Sequence, residues 1–282
     1  MHPGNIQLQF IAPYIITVLL SLITKHTYGY DDSDTIGLSN FAFSSYLGNG
    51  LYTASGQEVF VLQLPLQHNI KEKTDIEAGW ILNLPLTIGY VNFDNIKIDN
   101  LSDLDDVATL TFLPGIEYQY PVLPYWTVIP FADYGFAHEF NHTANVLVTG
   151  VGIKSYADFH FNDGTLTLGN RFLYARERSS GTNDDSDYSL IETGLNYRVT
   201  SDYSYDDKQL YANFYYINFY YPNNLILFER TSNPVKVGVE SEIGVTMSNI
   251  PSFLFFEKPQ IGFGIRAGDG VTAYRLVFGT PF

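Results

Sequence analysis

His138, Glu139, Phe140, Asn141 and His142 spell H-E-x-x-H, the spacing at which two imidazoles hold zinc and a glutamate serves as base. The pattern works on a helix, where positions i and i+4 share a face. Here it follows one alternating segment and precedes another. On a strand those positions are ~13 Å apart, too far for one ion. No third ligand is indicated. The other histidines, at 2, 26, 68 and 160, match no pairing that would activate a nucleophile. Cysteine is absent, which excludes disulfides and thiolate-bound zinc. Gly268-Asp269-Gly270 is too short for a phosphate cradle and suits a hairpin turn. The sequon Asn141-His142-Thr143 carries no weight without a glycosylation route. The reading is non-enzymatic, with no cofactor and no metal.

Thirty acidic residues stand against 15 basic ones in 282, a formal charge of -15. That field repels phosphate and argues against a nucleic-acid partner. Charged residues make up 16% of the chain and aromatic residues 16%, including 22 Tyr and 21 Phe, which argues against disorder. The acids gather at Asp31, Asp32 and Asp34; at Asp103, Asp105 and Asp106; at Asp184, Asp185 and Asp187; and at Asp202, Asp206 and Asp207. Solvated loops explain them. A divalent-cation role is the alternative, but no cluster has the full calcium-loop spacing.

The elements around these residues begin with an apolar run, Phe10 to Ile23, short for a membrane helix and suited to a secretory signal. Thr27 and Gly29 place a cleavage before Tyr30, although no Lys or Arg precedes the run. The expected division is a signal peptide over 1–29, a segment over 30–55 that is a lumen plug or a first strand, and a barrel over 56–282. From there the chain alternates with period two, the mark of strands. Trp80, Leu82, Leu84, Leu86, Ile88 and Tyr90 share one face, as do Trp126, Val128, Ala132, Tyr134 and Phe136, and Val235, Val237, Val239, Ile243 and Val245. Turn clusters at 71–75, 94–100, 180–187, 202–208, 222–224 and 267–270 separate the segments. Strand 209–221 is aromatic on both faces, so periodicity cannot orient it. A soluble β-sandwich or lipocalin would show a charged outer face; here the second face is rich in Gly, Ser, Thr and Asn, with few Lys. The fold class is all-β: a transmembrane, antiparallel, up-and-down barrel of about 12 strands (10–12).

With the apolar parity facing lipid, the opposite parity places Glu77, Glu117, Asp133, Lys154, Arg171, Glu177, Glu192, Arg198, Glu240, Glu242, Arg266 and Arg275 in the lumen. One reading is a neutralising network of ion pairs. The other is a small water-filled pore with mild cation preference. Inward glycines at 89, 115, 135, 150, 152, 169, 194, 238, 244, 262 and 264 leave room for water, a long side chain or segment 30–55.

Tyr274, Leu276, Phe278 and Phe282 share one parity and the chain ends on the aromatic, with Thr280 a polar departure. This resembles the carboxy-terminal signal of bacterial outer-membrane proteins. The resemblance implies the outer membrane of a Gram-negative bacterium. It implies partners in lipid, lipopolysaccharide, the barrel-insertion machinery and periplasmic chaperones. Residues 113–121, LeuProGlyIleGluTyrGlnTyrPro, and 126–135, TrpThrValIleProPheAlaAspTyrGly, resemble the hairpin of solitary autotransporter-like outer-membrane barrels, as does 50–66. Only residues 30–55 precede the first clear strand, so no passenger is expected. The expected role is structural or in surface interaction. A porin-like diffusion channel is the alternative, and an outer-membrane hydrolase ranks third.

Overall fold

Alternation becomes pairing in chain order. The structure is a computed structural model that describes residues 45–54, 57–91, 107–139, 145–179, 185–205, 208–227, 235–250 and 260–282. The signal-peptide expectation, the acidic cluster at 103–106 and His142 lie outside these residues. The strands are β1 (Gly50–Ala54), β2 (Gln57–Leu64), β3 (Gln67–Lys71), β4 (Gly79–Asn83), β5 (Leu86–Val91), β6 (Val107–Phe112), β7 (Gly115–Leu123), β8 (Trp126–Glu139), β9 (Asn145–Phe161), β10 (Gly164–Ser179), β11 (Asp185–Tyr205), β12 (Lys208–Leu227), β13 (Val235–Ser248), β14 (Ile261–Gly268) and β15 (Val271–Phe278).

Three pairs of these segments are single staves broken in the middle. β2 pairs with β5 while β3 pairs with β4. β5 pairs with β6 while β4 pairs with β7, and β8 accepts both β6 and β7. Joining β2 to β3, β4 to β5 and β6 to β7 leaves twelve antiparallel staves in sequence order, and β1 on β15 closes the ring. The breaks fall at Pro65, Pro85 and Pro114. Proline has no N–H to give to the ladder. Leu84 N–H to Leu66 O (2.8 Å), Leu113 N–H to Pro85 O (3.3 Å) and Tyr134 N–H to Pro114 O (2.9 Å) carry the pairing past each gap.

The pleat sorts the side chains as their parity requires. Outward stand Trp80, Ile116, Tyr134, Phe136, Val151, Ile153, Phe172, Phe214, Tyr216, Ile243, Val245, Phe263, Ile265 and Tyr274, all large, apolar and exposed. Near the end where the chain terminates, Trp80 lies 4.6 Å from Tyr118 and Tyr125 lies 6.3 Å from Phe159, centroid to centroid. There Trp126 Nε1 also donates to Ser155 Oγ at 2.8 Å. Exposed Arg176, Arg178 and Asp187 lie towards the opposite end of β10 and β11. Inward lie the buried residues Val61, Val148, Leu173, Leu190, Ile217 and Ala273.

Strand β12, which periodicity left unassigned, turns Tyr215, Ile217, Phe219 and Tyr221 inward and Phe214, Tyr216 and Tyr220 outward. Its turn expected at 222–224 is instead a bulge. Tyr220 opposes Val239 and Leu225 opposes Val237, with Asn224 at φ +49°. The same irregularity reverses part of β13. Val237 is fully buried and Val235 packs on the core, so neither shares the outward face of Val239, Ile243 and Val245. The extra residues shift the parity by one, which exchanges the two faces.

Gly268-Asp269-Gly270 is the β14–β15 turn, and Asp269 braces that bulge. Its Oδ2 accepts the Val239 N–H at 2.7 Å and the Gly238 N–H at 2.8 Å. These two donations, Val239 first, hold the carboxyl below the ordinary carboxylate range. A depressed folded-state value means the brace is complete above the unfolded-state value and is lost as pH falls through the folded one. Hydrogen exchange should therefore show the Gly238 and Val239 amides losing protection under acid. Asp269→Ala should abolish that protection at neutral pH and leave no pH dependence.

Candidate functional site

The lumen is where the charged residues meet. On β13 and β14, Arg266 Nε donates to Glu240 Oε2 at 3.0 Å and its Nη2 donates to the same oxygen. Tyr221 Oη also donates to that oxygen at 3.1 Å and accepts from Arg266 Nη2 at 2.7 Å. The guanidinium lies 3.6 Å over the Phe219 ring. Arg266 is 2% exposed and Glu240 1%, so neither charge meets bulk water. One register step away, Glu242 lies 3.5 Å from Arg275 and accepts the Tyr215 hydroxyl at 2.8 Å. The aromatic inward face of β12 thus supplies the donors and the ring that these pairs need.

Other pairs occupy the facing wall. Glu117 accepts from Lys154 Nζ at 2.7 Å and from Asn83 Nδ2 at 2.8 Å. Lys154 also stands 5.2 Å over the Phe131 ring. Arg171 is ion-paired to Glu192, its partner in the β10–β11 register. Asp133 accepts from Tyr46 Oη at 2.7 Å, and Glu177 from Ser186 Oγ at 2.9 Å. Arg171–Glu192 and Arg266–Glu240 join adjacent staves, while Lys154–Glu117 and Arg275–Glu242 each reach across one intervening stave, so desolvated charges are compensated locally.

Two residues expected in the lumen stand apart. Glu77 is exposed in the 72–78 turn, 3.1 Å from Lys71, because its backbone N–H is taken by Thr74 Oγ1 in a local turn. Arg198 keeps the inward parity but lies exposed towards the rim, stacked 5.5 Å over Tyr211 and 3.4 Å from Thr165 Oγ1.

Residues from before β1 and after β15 enter the site. Ser45 to Leu47 make one helical turn. Leu47 O accepts from Tyr52 Oη at 2.7 Å and from Arg275. A Cβ added at Gly150 would overlap the Tyr46 hydroxyl, so that glycine is the socket for the tyrosine. Gly244 and Gly264 are likewise occupied by Tyr215, and Gly152 by Phe131. At the other end, Tyr274, Leu276 and Phe278 share the outward parity of β15. Phe282 does not share it. It lies against the inward residues Gly169 and Gly194. The tail leaves the strand because Gly279 sits at φ +92° and Pro281 cannot continue the ladder.

Tyr46, Asn83, Phe219 and Tyr221 were not among the residues singled out by charge or spacing. For Tyr46 the inward Gly150 was the available signal, since it leaves the room the tyrosine takes; for the other three no such signal exists. The H-E-x-x-H segment is not helical at its start. His138 belongs to β8, with Nδ1 2.9 Å from Asn145 Oδ1 across the β8–β9 pair. His160 Nδ1 lies 3.1 Å from Thr165 Oγ1. Among the described residues no three His, Asp or Glu are placed to hold a metal ion.

The site therefore defines a class: a closed twelve-stave barrel, apolar outside, with ion pairs on its inner face. No protein-family model matches the chain, and no curated protein matches it. Among solved structures the beta domain of the Bordetella autotransporter Brka is similar. The identity is 12% and the TM-score 0.47, over 81% of this chain and 92% of that one.

Arg266→Met should leave Glu240 buried without its cation, at a cost of about 3–5 kcal/mol. Thermal unfolding of the refolded barrel would show it. Adding Glu240→Gln should recover much of the loss, because the double variant buries no unpaired charge.

Proposed function

We propose that this protein is an integral outer-membrane β-barrel of the solitary, autotransporter-like type, with a closed lumen and a structural or surface-interaction role. The observation that carries it is the combination of faces. Large apolar side chains are exposed around the ring, while the charges turn inward and pair. Water would reward the opposite arrangement; hydrocarbon rewards this one. The resemblance of the 113–135 hairpin to solitary autotransporter-like barrels supports the type. The end bearing the two-residue turns 124–125 and 162–163 and the C-terminus would face the periplasm, as short turns do in such barrels.

The acidic residues described on β11 divide between ends: Asp185 and Asp187 at one, Asp202 at the other. They do not make one acidic patch. The lipopolysaccharide-facing end would be the one with Asp185 and Asp187. The proposed role is non-enzymatic.

Ile243 is 60% exposed, midway along β13 between Tyr216 and Ile265. Ile243→Arg should destabilise the barrel in lipid vesicles by ~2–4 kcal/mol. In a soluble barrel the same change would fall within about ±0.5 kcal/mol. The refolded full chain in a planar bilayer should be electrically quiet. Stable open steps with cation preference would replace the closed reading with a diffusion channel. Phospholipid or peptide hydrolysis abolished by His138→Ala would replace it with an enzyme.

A further inference from the structure

The terminal residue sits far from where its own strand would leave it. β15 is the twelfth stave and β9 the sixth, so in a closed ring of twelve they stand on opposite walls. Yet the carbonyl oxygen of Phe282 accepts from Tyr156 Oη of β9 at 2.9 Å. The two rings stack at 6.1 Å between centroids, with planes 28° apart. Tyr156 is level with Gly169 of β10, and Gly169 with Gly194 of β11. These three positions form a row across three staves: one donor with an aromatic face, then two places without side chains. The three atoms nearest a Cβ at either glycine all belong to the Phe282 ring, the nearest 2.6 Å away at Gly194. The row is shaped to that ring.

We propose that the C-terminal tail is a closure latch. Phe282 hangs free on the last strand of an open sheet and enters the Tyr156–Gly169–Gly194 socket when the barrel closes. It then ties β15 to the wall opposite. The socket exists only once β9, β10 and β11 are paired, and the tail reaches it only once β15 has curled round to meet β1. A terminal aromatic that a partner could grasp on the unfolded chain is therefore withdrawn from it in the finished barrel. The latch does not depend on whether the lumen conducts.

The full chain, refolded in detergent, tests this with p-azidophenylalanine placed at position 282. Illumination should cross-link it to peptides carrying Tyr156, Gly169 or Gly194 in the folded barrel and to none of them in urea. Cross-links confined to detergent or to β14 and β1 would overturn the proposal. An antibody raised against residues 276–282 is the second probe. It should bind the urea-unfolded chain, bind the folded wild type at least ~10-fold more weakly, and recover binding to folded Gly194→Ala. The three atoms nearest the added methyl all belong to the Phe282 ring and none to the wall, so Gly194→Ala should keep the barrel and expel the tail. In thermal melts, Gly194→Ala and Phe282→Ala should each lower the midpoint, and the double variant should lie no lower than Phe282→Ala alone. Equal antibody binding to folded and unfolded wild type, or additive melting losses, would show that the tail is not latched.

Discussion

The ring is only as secure as its last seam. β1 offers β15 five residues, Gly50–Ala54 against Val271–Arg275, whereas β9 and β10 share a register of sixteen. So short an antiparallel pair is a weak closure by itself. Side chains reinforce it from inside. Leu276 N–H donates to Asn49 O at 3.1 Å, one residue before β1 begins, and Asn49 Oδ1 accepts the Gln63 N–H of β2. Gln63 Nε2 donates to Ser45 O at 3.1 Å. Tyr52 and Arg275, from either side of the seam, both donate to Leu47 O. The turn at 45–49 thus clasps β1, β2 and β15 together.

The clasp explains the position of Arg275. Its guanidinium holds Leu47 O and lies near Glu242, so the seam is coupled to the charge network of β13. Tyr215 joins the same carboxylate and fills the gaps at Gly244 and Gly264. Closure, charge compensation and packing here share side chains, and removing one would disturb all three. Non-additive mutational effects are the expected consequence among residues so connected.

Strand alternation made most of the barrel legible from sequence, because a wall with an apolar outer face and a different inner face imposes a strict period of two. Glu117, Lys154, Arg171, Glu192, Glu240, Glu242, Arg266 and Arg275 were placed by parity alone. What parity could not give was anything requiring a count between strands. Val237 was misplaced by a bulge whose extra residues lie on β12. Glu77 was misplaced because a run of alternation continued, on paper, into a turn. Phe282 breaks parity because the tail leaves the strand at Gly279. β12 resisted because its lumen face is aromatic as well. Its partners are buried charges on other staves, which no local window contains.

Those aromatics answer a geometric need. Barrel width grows with strand number, and about eight strands already make an interior that wall side chains can fill. Twelve staves enclose more than their own inward residues can occupy, particularly with Gly at positions 150, 169, 194, 244 and 264. Groups from beyond the wall's regular positions take up part of the difference. Tyr46 enters from before β1, Phe282 from after β15, and long Arg–Glu pairs reach in between. Glycine in the wall, aromatic in the gap and charge matched to charge are three devices that fit together at the same inward positions.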